Sequence, residues 1–193
     1  MFTFVAMGIL DKARASVAMM GLKAKPGRKR TVSDLSRAKS IGILYDASDR
    51  DIAERVREWV TELRTAQKNV QALGFVNTKK SEDVPKSKLS LDFFGAKNLS
   101  FSLKSADPVV KNFTSKPLDL LFDLNLNGNP VLLQVLADSE AGFIVGGGLK
   151  SKPFCDLYFE SERLNKSTEL NKNEYLSELN ILLTNIHKYV TTL

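Results

Sequence analysis

One cysteine (Cys155), one histidine (His187) and one tryptophan (Trp59) in 193 residues set the first limits on this chain. A single cysteine permits no internal disulfide. With one histidine beside it, a structural zinc site is excluded, because that site needs four ligands drawn mostly from Cys and His. Serine-histidine-aspartate catalysis would have to use His187. That residue falls near the end of an amphipathic C-terminal stretch, where a cation already suits a helix dipole. No run approaches the roughly 18–20 continuous apolar residues of a membrane span. The opening MFTFVAMGIL is apolar, but no positive residues precede it and Asp11-Lys12 follow, so it does not read as a secretory leader. Met7 is a second possible start, and from it the sequence reads more cleanly as an amphipathic helix. Gly146-Gly147-Gly148 is followed by no Gly-Lys-Ser/Thr, so it is no Walker loop. It also lacks the G-x-G-x-x-G spacing of a dinucleotide-binding turn, and reads as a flexible loop. The near absence of cysteine fits a reducing cytoplasm.

Charge is present but uneven. The first 40 residues hold nine basic and two acidic side chains, a net of +7, whereas the remaining 153 have a net of −1. The sequence therefore divides into a basic helical arm, residues 1–39, and one nearly neutral domain, residues 40–193. This excludes a protein basic throughout that coats nucleic acid. The arm carries Lys23, Lys25, Arg28, Lys29 and Arg30. Apolar Ile9, Leu10, Ala13, Val17 and Met20 recur in it at helical spacing. Three uses fit: packing on the domain, contact with an anionic membrane surface through burial plus charge, or salt-sensitive, sequence-blind contact with nucleic acid. Nucleic acid is the least favoured. Trp59 and most phenylalanines fall on core stripes, leaving no aromatic platform for bases.

Beyond the arm, short apolar runs alternate with helical patterns. Ser40–Asp46 reads as a strand buried on both faces. Ser48 and Asp51 have capping-box spacing, and Ile52, Val56, Trp59, Val60, Leu63, Ala66 and Val70 form a helical stripe to about residue 71. Leu73–Asn77 is the next strand, completing a βαβ unit. Residues 78–90 read as a surface loop, and Phe93-Phe94-Gly95 as an irregular segment that anchors this loop, closes as a lid or meets a partner. Alternating Leu99, Phe101 and Leu103 suggest an edge strand. Asp107-Pro108 opens a short helix. Leu118–Leu124 is a buried strand, 129–138 a helix, Gly142–Val145 and Asp156–Phe159 strands, and 171–190 a terminal amphipathic helix. The expected fold is a layered α/β domain with a mostly parallel sheet, Rossmann-like or flavodoxin-like.

In such sheets ligands bind beyond the carboxyl ends of the strands. Asp46 and Ser48 follow the first strand, Asp123 and Asn125 end the central one, and Gly146 ends the next. On a shared rim Asp46 and Asp123 could serve as acid and base, hold ribose hydroxyls or bind a metal. Each residue also has a structural use. Asp46 and Ser48 can cap a helix, and Asn125, Asn127, Gly128 and Asn129 are turn formers. Cys155 opens an apolar strand and reads as buried and inert.

Residues Ser40–Ala47, Leu73–Val76, Phe93–Gly95, Leu118–Asn125 and Ala141–Gly146 together resemble a family of small Bacteroidetes proteins carrying a domain of unknown function. The resemblance spans about residues 38–190. The family pattern has a basic residue and one glycine where this chain has Ile144 and three glycines, which argues against anion binding there. Residues 119–146 also resemble the first domain of heptosyltransferase-type glycosyltransferases. The chain is too short for a second, nucleotide-sugar-binding domain, so that activity is not expected. The family brings no established activity, and the cofactor is left unknown. The expectation is a cytoplasmic, non-catalytic binding or regulatory domain, whose arm meets the inner membrane surface or a protein partner. The alternative is a small enzyme using Asp46 and Asp123 with a nucleotide, sugar or metal.

Overall fold

In a computed structural model, which describes residues 9–166 and 169–191, the domain is a six-stranded sheet with helices on both faces. The strands are β1 (Ser40–Asp46), β2 (Asn69–Val76), β3 (Leu91–Gly95), β4 (Leu120–Asp123), β5 (Phe143–Gly146) and β6 (Leu157–Tyr158). Their order is β3-β2-β1-β4-β5-β6, with every pairing parallel. The helices are α1 (Ile9–Met19), α2 (Arg50–Thr65), α3 (Pro108–Thr114), α4 (Pro130–Ala137), α5 (Glu162–Lys166) and α6 (Lys172–Tyr189). The stretch Met1 to Gly8, with the alternative start at Met7, lies outside the described residues.

Period-two alternation in the strands separates two apolar layers. Ile41, Ile43, Tyr45, Leu120, Phe122 and Val145 face α2 and α6, where Trp59 meets Phe122 edge-on at 5.1 Å. Leu44, Leu73, Phe75, Leu121 and Ile144 face α1, α3 and α4. Both faces are covered, so the strands read as unbroken apolar runs. The expected α/β architecture is therefore found, with the strand order of a doubly wound nucleotide-binding sheet.

Several boundaries differ from expectation for identifiable reasons. The helix after β1 is capped by Asp49, which accepts N–H bonds from Asp51 (2.8 Å) and Ile52 (3.2 Å). The Ser48 hydroxyl instead receives the Asn77 N–H (3.0 Å). That helix ends at Thr65, because Gln67 turns the chain at φ 60° and Val70 already belongs to β2. The edge strand is Leu91–Gly95, so Phe93-Phe94-Gly95 is regular after all, and Phe94 packs on Phe75 at 5.2 Å. Residues 99–103 form no strand. Leu103 has φ 63° and is buried while Phe101 is 72 % exposed, so their alternation does not define one sheet face.

Within the described residues the arm is fastened to the domain at several points. Lys25 donates its N–H to Ala137 (2.8 Å), Thr31 to Gly142 (3.0 Å) and Leu35 to Val190 (2.6 Å). It starts against α4, where Ala18 is buried, and ends against α6, where Leu35 and Ala38 enter the other apolar layer. The side of α1 that packs is the small one, with Ala15, Ala18 and Met19. Val17 and Met20, which recur at helical spacing in the sequence, point outward at 55 % and 80 % exposure. Among the described residues no helix is long and apolar enough to cross a membrane.

Candidate functional site

The strand order reverses between β1 and β4, whose connections leave on opposite faces. At their carboxyl ends a crevice opens in doubly wound sheets, and there ligands bind. Asp46 ends β1 and Asp123 ends β4, with Asp123 level with Leu44 of β1 and Gly146 of β5. The expected rim residues thus converge. What they contact is one another.

Asn129 caps α4 through its Oδ1, which accepts from Val131 N (3.0 Å). Its Nδ2 donates to Asp46 Oδ2 (2.9 Å). The other Asp46 oxygen receives the Ser48 N–H (3.0 Å). Asn125 closes the Asn125–Asn129 turn from both sides, accepting from Asn129 N (2.7 Å) and donating to Asn129 O (3.0 Å). Gly128, with φ +65°, supplies the left-handed residue that this turn requires. A helix start that could receive phosphate, that of α2, already holds the Asp49 carboxylate. Asp46, Asp49 and Asp51 give that corner a negative charge, which Lys172 of α6 offsets by pairing with Asp51 and lying 3.7 Å from Asp49.

Tyr175 of α6, which sequence periodicity marks only as part of an apolar stripe, enters the same crevice. Its hydroxyl donates to the Leu124 carbonyl and accepts from Leu126 N (3.4 Å). Burial, reinforced by the carboxylates of Asp46 and Asp123, pushes this phenol well above the usual tyrosine range. It stays neutral and acts as a fixed plug on the backbone that leaves β4.

Asp123 is the exception to this mutual satisfaction. It is completely buried; Oδ1 receives a long bond from Asn125 N (3.4 Å), and Oδ2 has no hydrogen-bond partner. Burial raises its carboxyl to about 6. The nearby Ser151 hydroxyl and the Asn125 N–H hold the rise in check, although Ser151 directs its own hydrogen to Gly148 O (2.8 Å). The Cys155 thiol lies over Gly146 beside Asp123, where a Cβ on the glycine would come within 2.8 Å of the sulfur. Burial first, then the charges of Asp123 and Asp156, push that thiol far upward, and it donates to Ser151 O (3.3 Å).

The triple glycine is not a flexible loop. Gly146, Gly147 and Gly148 are all buried, and a Cβ at Gly148 would stand 2.4 Å from the Asn125 carbonyl oxygen. These glycines let the chain after β5 press against the β4 turn. No anion cradle results.

The five basic arm residues divide into two groups. Arg28 is almost fully buried and grips both Asp156 oxygens (2.7 and 2.8 Å) while also donating to Ala141 O (2.9 Å). Arg30 reaches the same carboxylate (3.2 Å), and Lys25 pairs with Glu140. Lys23 and Lys29 are exposed. Among the described residues no group of three or more His, Cys, Asp or Glu could hold a metal ion. No curated protein and no solved structure matches this chain. A family model described as a family of unknown function, DUF6913, matches residues 19–182, from the end of α1 to within α6. The chain therefore belongs to the DUF6913 family.

Proposed function

We propose that this chain is a non-catalytic binding domain that meets an anionic surface through its N-terminal helix. One observation carries the reading: α1 seats itself by its alanine side and turns Val17 outward, as does Met20 in the turn that follows. An apolar helix face next to free cations is the composition of an interfacial helix, with burial and charge as its two signals. Lys23 and Lys29 supply the cations, and Phe101, 72 % exposed beneath the Arg14 guanidinium, extends the apolar face. The rim of the sheet supports a binding role over a catalytic one, since Tyr175, Asn125 and Asn129 spend their polar groups on the protein itself. The inner leaflet of a cytoplasmic membrane is the surface this composition suits; a protein partner with acidic side chains is the other.

Flotation of the full-length chain on phosphatidylcholine vesicles, with and without phosphatidylglycerol, tests the reading. The wild type is expected to float with the anionic vesicles alone and to be released by salt. The double variant Val17→Ser/Met20→Ser, changed at exposed positions, is expected to stay in the pellet. Equal behaviour of the two proteins would overturn the proposal. Deleting the arm is a poorer test, because it would strip Asp156 of its buried cation.

The alternative of a small enzyme built on Asp46 and Asp123 draws support from one fact, the unpartnered Asp123 oxygen. Its test is thermal shift against nucleotides, sugars and Mg²⁺. A ligand at about a hundred times its Kd should add about 2.7 kcal/mol, and Asp123→Asn should abolish the gain.

A further inference from the structure

The chain that leaves β5 runs beside Asp123 before it reaches β6. Gly146, Gly147 and Gly148 come first, all buried, then a 3₁₀ turn, Leu149–Phe154, and then Cys155. Ser151 stands beside the Asp123 carboxyl, and the Cys155 sulfur lies over Gly146 next to it. Segment 147–155 is therefore one of the walls that bury this carboxyl.

It is also the least fastened wall. Its hydrogen bonds close on the segment itself: Ser151 N and Oγ both donate to Gly148 O (2.9 and 2.8 Å), Cys155 N to Lys152 O (3.3 Å) and Cys155 Sγ to Ser151 O (3.3 Å). Among the described residues its backbone bonds to no strand or helix of the body. Phe154, buried in the layer of α4, is its side-chain anchor. The other walls are tied across the fold. Asn125 is locked to Asn129, Tyr175 to the backbone at Leu124 and Leu126, and Leu44 lies within the sheet. Local openings are drawn from segments with few bonds to their surroundings, and three successive glycines give this one a permissive hinge.

Asp123 supplies the reason to open. Its Oδ2 has no partner and its Oδ1 one long bond. No group that faces it answers a negative charge. The Cys155 thiol on the segment and the Tyr175 phenol of α6 are neutral, and Asp123 acts on both as an anion. Asp46 of β1 acts on the same phenol and Asp156 on the same thiol, and Arg28 is spent on Asp156. Lys150 and Lys152 of the segment are exposed, and Lys152 pairs with Glu160 (3.4 Å). Such a place tolerates a protonated carboxyl, whereas a carboxylate there lacks both a cation and water.

We infer that segment 147–155 is a lid that opens locally when Asp123 gives its proton to solvent, letting water reach the carboxylate and uncovering the crevice at the switch point. The lid is closed in acid and opens more often toward neutrality. It is separate from the face that meets vesicles, since Val17, Met20 and Phe101 lie outside it.

Hydrogen–deuterium exchange of the full-length chain between pH 4 and pH 8, corrected for the intrinsic pH dependence of amide exchange, tests this. Amides of 147–155 are expected to open about fiftyfold more often at pH 7 than at pH 4. That ratio follows from a carboxyl that titrates at about 6 when closed and in its ordinary range when open. The rise should level off where a carbon-13 NMR titration shows the Asp123 carboxyl fully ionised, which ties it to this group in the wild type alone. In Asp123→Asn the corrected exchange of the segment should not depend on pH. Three results would each overturn the inference: a corrected exchange that is flat in the wild type; a rise that survives in Asp123→Asn; or amides of β1 and α2 that exchange at the same rate as the segment and rise with it, which would mark global unfolding in place of a lid.

Discussion

Two buried carboxylates lie one strand apart and live under opposite conditions. Asp156, just before β6, is held by Arg28 on both oxygens, by Arg30 and by the Ile144 N–H (2.9 Å). Asp123, at the end of β4, has one long hydrogen bond and a bare second oxygen. Burial is comparable, so the difference lies in partners. A charge taken out of water needs an opposite charge or several donors, or else its ionisation is costly and shifts toward neutral pH. The arm brings such a charge to Asp156 and none to Asp123. The basic surplus of the first 40 residues is thus partly structural, and a buried carboxylate oxygen without a partner stands at the switch point of the sheet.

The sharpest way to break this contrast is to take the counter-charge from Asp156. Arg28→Ala should cost about 3–5 kcal/mol in urea denaturation, since it leaves a buried carboxylate with only the exposed Arg30 beside it. Arg30→Ala should cost no more than about 1 kcal/mol. Similar losses in the two variants would mean that the arm does not hold the domain as described.

Asp123 should behave in the opposite sense. Its carboxyl is raised from 3.8 to about 6 in the folded chain. The folded state therefore holds a proton that the unfolded state gives up. The contribution of this group to stability is greatest below about pH 4, falls as pH rises through about 6, and is level above that. Asp123→Asn removes the titration, so at pH 7 it should stabilise the chain by about 2–3 kcal/mol. The gain should vanish in acid. Melts of both proteins across this window check the prediction, and a pH-independent difference would refute it.

Tyr175→Phe should have the smallest effect. It leaves the Leu124 carbonyl and Leu126 N–H without their shared partner, at a cost of about 1–2 kcal/mol. The loss should not change across the range in which Asp123 titrates, because the phenol remains neutral there. A loss that follows the Asp123 curve would show that the two groups exchange a proton, and would narrow the contrast with Asp156.

Much of the fold is written locally and is readable for that reason. Ser40–Asp46 is an unbroken apolar run, Asp107-Pro108 is a cap followed by a first-turn proline, and residues 171–190 keep one apolar stripe. Each announces its element without reference to anything distant. Edge strand β3 does not, because LDFFG carries only five residues and its Phe93 and Phe94 have different burial. Strand order depends on pairings between distant segments, which no local pattern encodes. The site follows the same division. Asp46, Ser48, Asp123, Asn125 and Gly146 are legible as strand-end residues, and they do converge. Their mutual hydrogen bonds, and the plug by Tyr175 from 51 positions away, are not legible. Away from the rim, Gln134 does carry a signal of its own, a single amide in an otherwise apolar helix, and it is spent on the Ala18 carbonyl.

The Arg28–Asp156 pair also has a consequence in time. The two residues are 128 positions apart, so a ribosome delivers the arginine long before its carboxylate. The Arg28–Asp156 grip therefore cannot close before residue 156 is made, although the arm's bonds to Ala137 and Gly142 need only earlier segments. Such long-range closure slows folding. Throughout synthesis the outward face of α1 travels ahead of the domain, free to meet a surface or a chaperone before the body that will hold it exists.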